Sequence, residues 1–372
     1  MGDPNETLNH WTSFRKESSS STFFFYYKMK NNEAILEWKQ FFEKKGLQRH
    51  ITDVYIEYIT TLYGFNVPVI FDFKHLSLLL GRTQGYLASV VNSSENHYRD
   101  FSIPKRNGGT RLITAPFSSL LEIQHWIYTN ILVKVRLHSS AHGFTYNKSI
   151  ITNAKIHVGQ KHLLKIDLKD FFPSISINRV INVFKKLGYT NQIAFYLAKI
   201  CCYEGALPQG APTSPYLSNI IAINLDRRLM ALAKSLNLKY TRYADDITIS
   251  GDEISGAIIN YVENIITDEG FTLNKEKTRL YQNNGQRIVT GISVTENKLK
   301  LPREYKRNLR LELYHIETKG LQSHVSKKKI RRIDYLLSMI GKVNFWLQVE
   351  PENKYAQNAL EVLKQYYTAI YR

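Results

Sequence analysis

The chain has 372 residues, and its 50 Lys and Arg against 32 Asp and Glu leave a net charge of +18 at neutral pH. With 43% hydrophobic and 12% aromatic residues, disorder is excluded as a description of the whole and two or three domains are expected. So large a positive excess favours polyanionic partners, nucleic acid before an anionic membrane surface.

No run reaches the roughly 18 apolar residues of a membrane-spanning helix, and the first residues lack the basic start and apolar stretch of a secretory leader. A cytoplasmic protein with no membrane partner is expected. The only cysteines, Cys201 and Cys202, are adjacent, so on their own they make neither a disulfide framework nor a four-ligand zinc site; two buried helical thiols are expected.

Residues 1–29 open with polar residues and the run Ser18 to Ser21, followed by Phe23, Phe24, Phe25, Tyr26 and Tyr27. From Glu33 to Leu80, apolar residues at three- and four-residue spacing (Ile35, Trp38, Phe41, Phe42, then Val54, Ile56, Ile59, Leu62) predict packed helices. Two extended runs about Gly108-Gly109, from Tyr98 to Pro116, predict a hairpin carrying Lys105 and Arg111. A helical segment follows, then a stretch rich in glycine and polar residues from Ala141 to Lys161 that would wrap a site. Leu164, Ile166 and Leu168 alternate as on a strand, with Asp167 near its end.

Two helical segments come next, from Ile177 and from Thr190, and then a loop from Gly205 to Pro215 that opens one longer helix with the stripe Leu217, Ile220, Ile221, Leu225, Leu229 and Leu232. Tyr240 to Ser250 predicts a hairpin with Asp245 and Asp246 at its tip, and a helix over 253–269 leads to the strand-like run from Arg287. The last 75 residues hold 16 Lys and Arg against 7 Asp and Glu, half of the net charge in a fifth of the chain. Lys327, Lys328, Lys329, Arg331 and Arg332 are its densest run, and the apolar spacing around them is helical.

Asp167, Asp245 and Asp246 each stand where a predicted strand ends or turns. Any one alone reads as a turn residue; carboxylates from two neighbouring strands can hold the pair of divalent ions, about 3.5 to 4 Å apart, that phosphoryl transfer to a hydroxyl uses. Magnesium suits such hard oxygen ligands and keeps waters and substrate phosphates in its shell. No His/Cys cluster competes.

These residues resemble a family. Tyr243-Ala244-Asp245-Asp246 is similar to the YxDD box of reverse transcriptases, Asp167-Leu168-Lys169-Asp170-Phe171-Phe172 to their first carboxylate motif, and Leu207-Pro208-Gln209-Gly210-Ala211-Pro212-Thr213-Ser214-Pro215 to their template-grip loop. YADD alone is weak; the three in order, within a resemblance running from about Tyr98 to Val294, are specific. The resemblance implies an α+β right-hand polymerase: a helical N-terminal extension (1–95), fingers with the first part of the palm (96–166), the palm with the remaining fingers helices (167–297) and a basic RNA-binding thumb (298–372).

It further implies two Mg2+ ions, held directly by Asp167 and Asp245 with Asp246 completing the acidic site. Lys105 and Arg111 would meet the triphosphate of a dNTP, and Gln209 and Gly210 would position template and incoming base. Lys277 would sit near the leaving pyrophosphate, with Lys275 as the other candidate. Phe172 falls at the steric gate beneath the sugar, with Phe171 as core.

Two shorter motifs narrow the family: Asn153-Ala154-Lys155-Ile156-His157 resembles the NAxxH signature of bacterial retron reverse transcriptases, and Val289-Thr290-Gly291 their VTG signature. The retron resemblance implies a cognate structured RNA copied from the 2′ hydroxyl of an internal guanosine into branched RNA–DNA, called msDNA, and service in anti-phage defence beside an effector protein. The thumb, including Lys327 to Arg332, would grip the RNA, with Tyr305, Tyr314, Tyr335, Phe345 and Trp346 divided between core and stacking. A group II intron-type enzyme shares the palm motifs but normally continues into a maturase, for which about 75 residues after the VTG strand are too few. A diversity-generating enzyme usually has a different loop in place of residues 207–215. A non-catalytic RNA-binding module would not need all three carboxylates.

Overall fold

The computed structural model describes residues 33–104, 108–282 and 287–371. Lys105 and the aromatic run Phe23 to Tyr27 lie outside the described residues. The N-terminal helices α1 (33–44), α2 (Arg49–Gly64) and α3 (Phe73–Leu79) form within the stretch where the apolar spacing predicts them, and α4 (Gln84–Asn92) follows beyond it. Asp72 and Thr83 start α3 and α4 by accepting from the backbone N–H of His75 and Tyr86. Far from standing apart, this stretch shares one core with the centre of the chain: Leu62, Ile70, Leu76 and Leu87 are packed with Phe184, Ile193 and Leu197, and the Tyr189 hydroxyl donates to the Pro68 carbonyl at 2.9 Å.

β1 (Tyr98–Pro104) and β2 (Thr110–Pro116) are the expected antiparallel hairpin, with Ile103 opposite Arg111 and both turn glycines at positive φ. After α5 (Ser118–Asn130), the glycine-rich stretch contains a short helix the sequence pattern did not announce, α6 (Ile150–Lys155). Ser149 caps it in a reciprocal box with Thr152, and this local hydrogen bonding nucleates a helix without an apolar stripe.

The central sheet has the order β4-β5-β3-β6, built from β3 (His162–Asp167), β4 (Lys239–Tyr243), β5 (Asp246–Gly251) and β6 (Arg279–Tyr281), all antiparallel neighbours. Against it pack α7 (Ile177–Lys186), α8 (Asn191–Cys201), α9 (Ser214–Ile221), α10 (Ile223–Ser235) and α11 (Ala257–Asp268). The one long helix expected after the loop is thus two. Ala222, at ψ 4°, leaves helical geometry while Ala222 N–H still bonds Ser218 O and Asp226 N–H bonds Ala222 O, so the apolar period survives the break. Cys201 ends α8 and Cys202 follows it, both buried thiols with burial pushing Cys201 up to about 12.

The small sheet of β7 (Arg287–Val289), β8 (Ile292–Val294) and β9 (Leu299–Lys300) leads into four helices, α12 (Arg303–Lys319), α13 (Leu321–Lys327), α14 (Tyr335–Val349) and α15 (Lys354–Tyr371). They make a second core around Leu309, Leu313, Met339, Val343 and Trp346, which also takes in Ala154 and Leu163. The basic run departs from the helical expectation: α13 stops at Lys327, and Lys329 sits at φ +52°, a left-handed position that ends the helix and leaves Lys328 to Arg332 in a connection. Of the aromatics in these four helices, Trp346 is fully buried and Tyr314 exposed. No helix among the described residues is long and apolar enough to cross a membrane.

Candidate active site

Strand register brings the carboxylates together. Asp167 ends β3 directly opposite Asp246, the first residue of β5, and cross-strand partners project to the same face of a sheet. Asp245 therefore lies in the turn with Ala244, and Asp246 opens the strand; only the first belongs to the tip. The turn is tied to β3 by Leu168 N–H donating to Asp245 O at 3.0 Å, and Ala244 takes a positive φ of 56° to make it.

Two lysines face this cluster. Lys277 Nζ lies 3.1 and 3.0 Å from the two carboxylate oxygens of Asp167, while Lys165 Nζ is 3.3 Å from Asp246 Oδ2. Lys275, the other candidate for the pyrophosphate position, pairs instead with Glu263 at 2.8 Å and points to solvent. Asn274 holds the loop beside Asp167 from both ends, its N–H on Asp167 O at 2.8 Å and its side-chain amide on Oδ2 at 3.2 Å.

Burial, and then the neighbouring Asp167, raise the carboxyl of Asp245 above the usual carboxylate range; Lys277 and Arg111 pull it partly back. Burial likewise raises Asp246, opposed by Lys165. Among the described residues, no group of three or more His, Cys, Asp or Glu is gathered so as to hold a metal ion by itself. The donors are nevertheless all hard oxygens, and burying like charges together gives them a standing demand for a cation. A magnesium ion needs only one or two carboxylates beside water and phosphate, so the donor set fits a divalent ion.

The remaining predicted residues gather around this point in part. Arg111 stands on exposed β2, near enough for its charge to act on Asp245. The Gln209–Gly210 loop docks on the same strand: Thr114 N–H donates to Gln209 O at 2.9 Å, and a Cβ on Gly210, whose φ is +143°, would lie 2.6 Å from Thr114 O. Phe171 is core, stacked on Phe271 at 5.5 Å, whereas Phe172 is half-buried with its ring 6.4 Å from that of Phe144. Phe144 in turn lies 6.3 Å from Tyr243.

The two short signature motifs, far apart in sequence, meet in space. Asn153, fully buried on α6, donates to Thr290 Oγ1 at 3.4 Å, and that hydroxyl donates to Ile150 O at 3.2 Å. Val289 is buried, and Thr290 and Gly291 turn the β7–β8 hairpin with positive φ. His157 bridges both strands of the carboxylate hairpin, Nδ1 to Ser250 Oγ at 2.6 Å and Nε2 to Thr241 Oγ1 at 2.8 Å. Asn153 and His157 are therefore buried braces, whereas Gly291 is exposed. In the basic run, Lys328 pairs with Glu312 at 3.7 Å and Arg332 with Asp334 at 2.7 Å, while Lys327, Lys329 and Arg331 have no ion pair among the described residues.

Sequence reading missed Lys165 and the hold of Asn274 on Asp167, although Asn274 lies in the same segment as Lys277. Lys165 was within reach, being two residues before Asp167 on one strand and so on the same face. The bond from Asn274 to Asp167 joins segments 107 residues apart, which no local pattern carries.

A reverse transcriptase (RNA-dependent DNA polymerase) family model matches residues 103–311, more than half of the chain. The chain is 33% identical to the retron Ec86 reverse transcriptase of Escherichia coli over 83% of its own length and 98% of that protein's. It is 36% identical to the retron Mx65 reverse transcriptase of Myxococcus xanthus, over 76% of this chain and 71% of that one. Among solved structures, telomerase from Candida albicans in complex with a telomeric RNA fragment aligns with 72% of this chain and 63% of its own at 12% identity and a TM-score of 0.44, too loose a likeness to carry weight. Family model and relatives agree with the motifs and with the right-hand polymerase architecture: the chain belongs to the retron reverse transcriptases, and its chemistry is RNA-directed DNA polymerisation.

Proposed function

We propose that this enzyme copies part of a cognate structured RNA into single-stranded DNA, starting from the 2′ hydroxyl of an internal guanosine, and that the branched msDNA serves in anti-phage defence with an effector protein. The observation that carries the catalytic part is the in-register pair Asp167 and Asp246 with Asp245 in the adjoining turn. Asp167 and Asp245, completed by Asp246, would hold two Mg2+ ions. When bound, such ions lower the pKa of the attacking hydroxyl and stabilise charge on the transferring phosphoryl group.

The protein's own residues then bind and orient. Lys277 presents its ammonium beside Asp167, where it would neutralise a leaving pyrophosphate. Arg111, carried on the hairpin near Asp245, would meet the triphosphate of the dNTP together with Lys105. Phe172 offers an aromatic wall against a ribose 2′ hydroxyl, favouring dNTPs. The Gln209–Gly210 loop, seated on β2, would hold the template base against the incoming one. Residues 298–372 would act as the RNA-binding thumb, with Lys327, Lys328, Lys329, Arg331 and Arg332 as phosphate contacts. Similarity to retron reverse transcriptases supports this reading over an intron-type enzyme without branched priming.

The test is to express the chain with its flanking upstream DNA and examine total nucleic acid for a short DNA whose size shifts after RNase or debranching treatment. A branched species that disappears with Asp245→Asn is expected. Primer extension by the purified protein without any branched species would leave the polymerase and remove the branched priming.

A further inference from the structure

The turn that carries Asp245 is held from the protein interior by a side chain that takes no part in the scheme above. Arg242 is fully buried, two residues before Ala244 and three before Asp245. Its guanidinium makes four hydrogen bonds: Nε to Asp226 Oδ1 at 2.7 Å, Nη2 to Asp226 Oδ2 at 2.6 Å, and Nη1 to both Asn219 Oδ1 at 3.0 Å and Ala244 O at 3.1 Å. The Tyr240 hydroxyl adds a donor to Asp226 at 2.6 Å. The main chain is held as well, Arg242 N–H on Ser140 O at 2.9 Å and His142 N–H on Arg242 O at 2.7 Å.

The same neighbours press on the turn itself. Asn219, besides accepting from Arg242, donates to Gly143 O at 2.8 Å, and a Cβ on Gly143 would stand 2.7 Å from Ala244 N. Ala244 is an L-residue held at φ +56°, a conformation that persists when its surroundings over-determine it. Asp226, Asn219 and Tyr240 account for the ion pair and its burial. The bond from Nη1 to Ala244 O is separate, because it fixes the peptide that joins Ala244 to Asp245.

We propose that Arg242 is a positioning residue for polymerisation: by holding the Ala244 carbonyl it sets the peptide plane ahead of Asp245, and with it the direction from which that carboxylate meets a divalent cation. Asn219 and Gly143 are the second and third points of the same clamp. The proposal rests on the reading of Asp245 as a cation ligand.

The test compares wild type with Arg242→Lys in primer extension on an RNA template, recording kcat, the KM for dNTP, the Mg2+ concentration for half-maximal rate, template affinity and Tm. Lysine keeps a positive charge for Asp226 but has no planar fork to span Asp226, Asn219 and Ala244 O together. The expected result is a folded protein with template affinity and dNTP KM like wild type, kcat down about tenfold or more, and the Mg2+ requirement raised several-fold. A folded Arg242→Lys enzyme with wild-type kcat and Mg2+ requirement overturns the proposal. So does a kcat loss that only tracks the folded fraction while the Mg2+ curve stays put.

Should Arg242→Lys fail to fold, Gly143→Ala presses the turn without touching the ion pair, and the same split between kcat, KM and Mg2+ decides. Asp245→Asn runs alongside. If that variant still extends primers, the assignment of Asp245 fails and takes this proposal with it; if it is inactive while the clamp variants behave as wild type, the clamp alone is wrong.

Discussion

His157 makes the stability of this protein depend on pH in a way that can be worked out from its surroundings. The ring is 1% exposed, both nitrogens are engaged by the Thr241 and Ser250 hydroxyls, and burial, helped by His142, pushes its pKa down to about 3. In the unfolded chain it titrates near 6.5. The folded value is the depressed one, so stability is complete above pH 6.5 and is lost as the pH falls from there toward 3, because only the unfolded chain takes up the proton. At about 1.36 kcal/mol per pH unit, this residue alone removes about 2 kcal/mol between pH 7.5 and pH 5. In His157→Gln that component is gone. The variant also leaves one of the two buried hydroxyls without its partner, at a cost of about 1–3 kcal/mol at every pH. Urea unfolding followed by intrinsic fluorescence at pH 7.5 and pH 5 gives both quantities. Wild type should lose about 2 kcal/mol more than the variant across that interval, the other histidines cancelling in the difference. An equal loss in the two proteins would refute the reasoning, since His157 would then bind protons alike in both states.

Two further results are expected at the proposed nucleic-acid contacts. Gly210→Ala places a Cβ 2.6 Å from Thr114 O at a φ of +143°, so the loop must leave β2; kcat/KM in single-nucleotide incorporation should fall about tenfold or more, and an unchanged value would detach this loop from nucleotide positioning. For the thumb, replacing Lys327, Lys329 and Arg331 by Gln should reduce the slope of log K against log salt by up to about 2.7 on duplex RNA, taking the B-DNA value of about 0.9 per phosphate as an upper guide. Replacing Lys328 and Arg332, already occupied by Glu312 and Asp334, should change it less. Identical slopes for the two variants in a fluorescence anisotropy titration would show that the ion pairs do not govern which cations reach the RNA.

Local chemistry made much of this protein legible in one dimension. The hairpin about Gly108-Gly109, the strand ending in Asp167 and the YADD turn follow from alternation and turn residues, whose causes lie within a few positions of chain. Motif order was enough to indicate a retron reverse transcriptase. The helix at Ile150 was hidden because a capping box, not an apolar stripe, starts it, and the break at Ala222 because it leaves the apolar period intact.

What only the tertiary structure decided are the partners. That Lys277 and not Lys275 faces Asp167, that Asn153 and His157 are buried braces reaching Thr290, Thr241 and Ser250, and that Arg242 clamps the Ala244 turn all depend on contacts between segments far apart in the chain. A sequence determines which residues are able to donate, accept or carry charge. Which of them meet is set by strand register and core packing, where burial makes an unpaired polar group costly and so selects one arrangement.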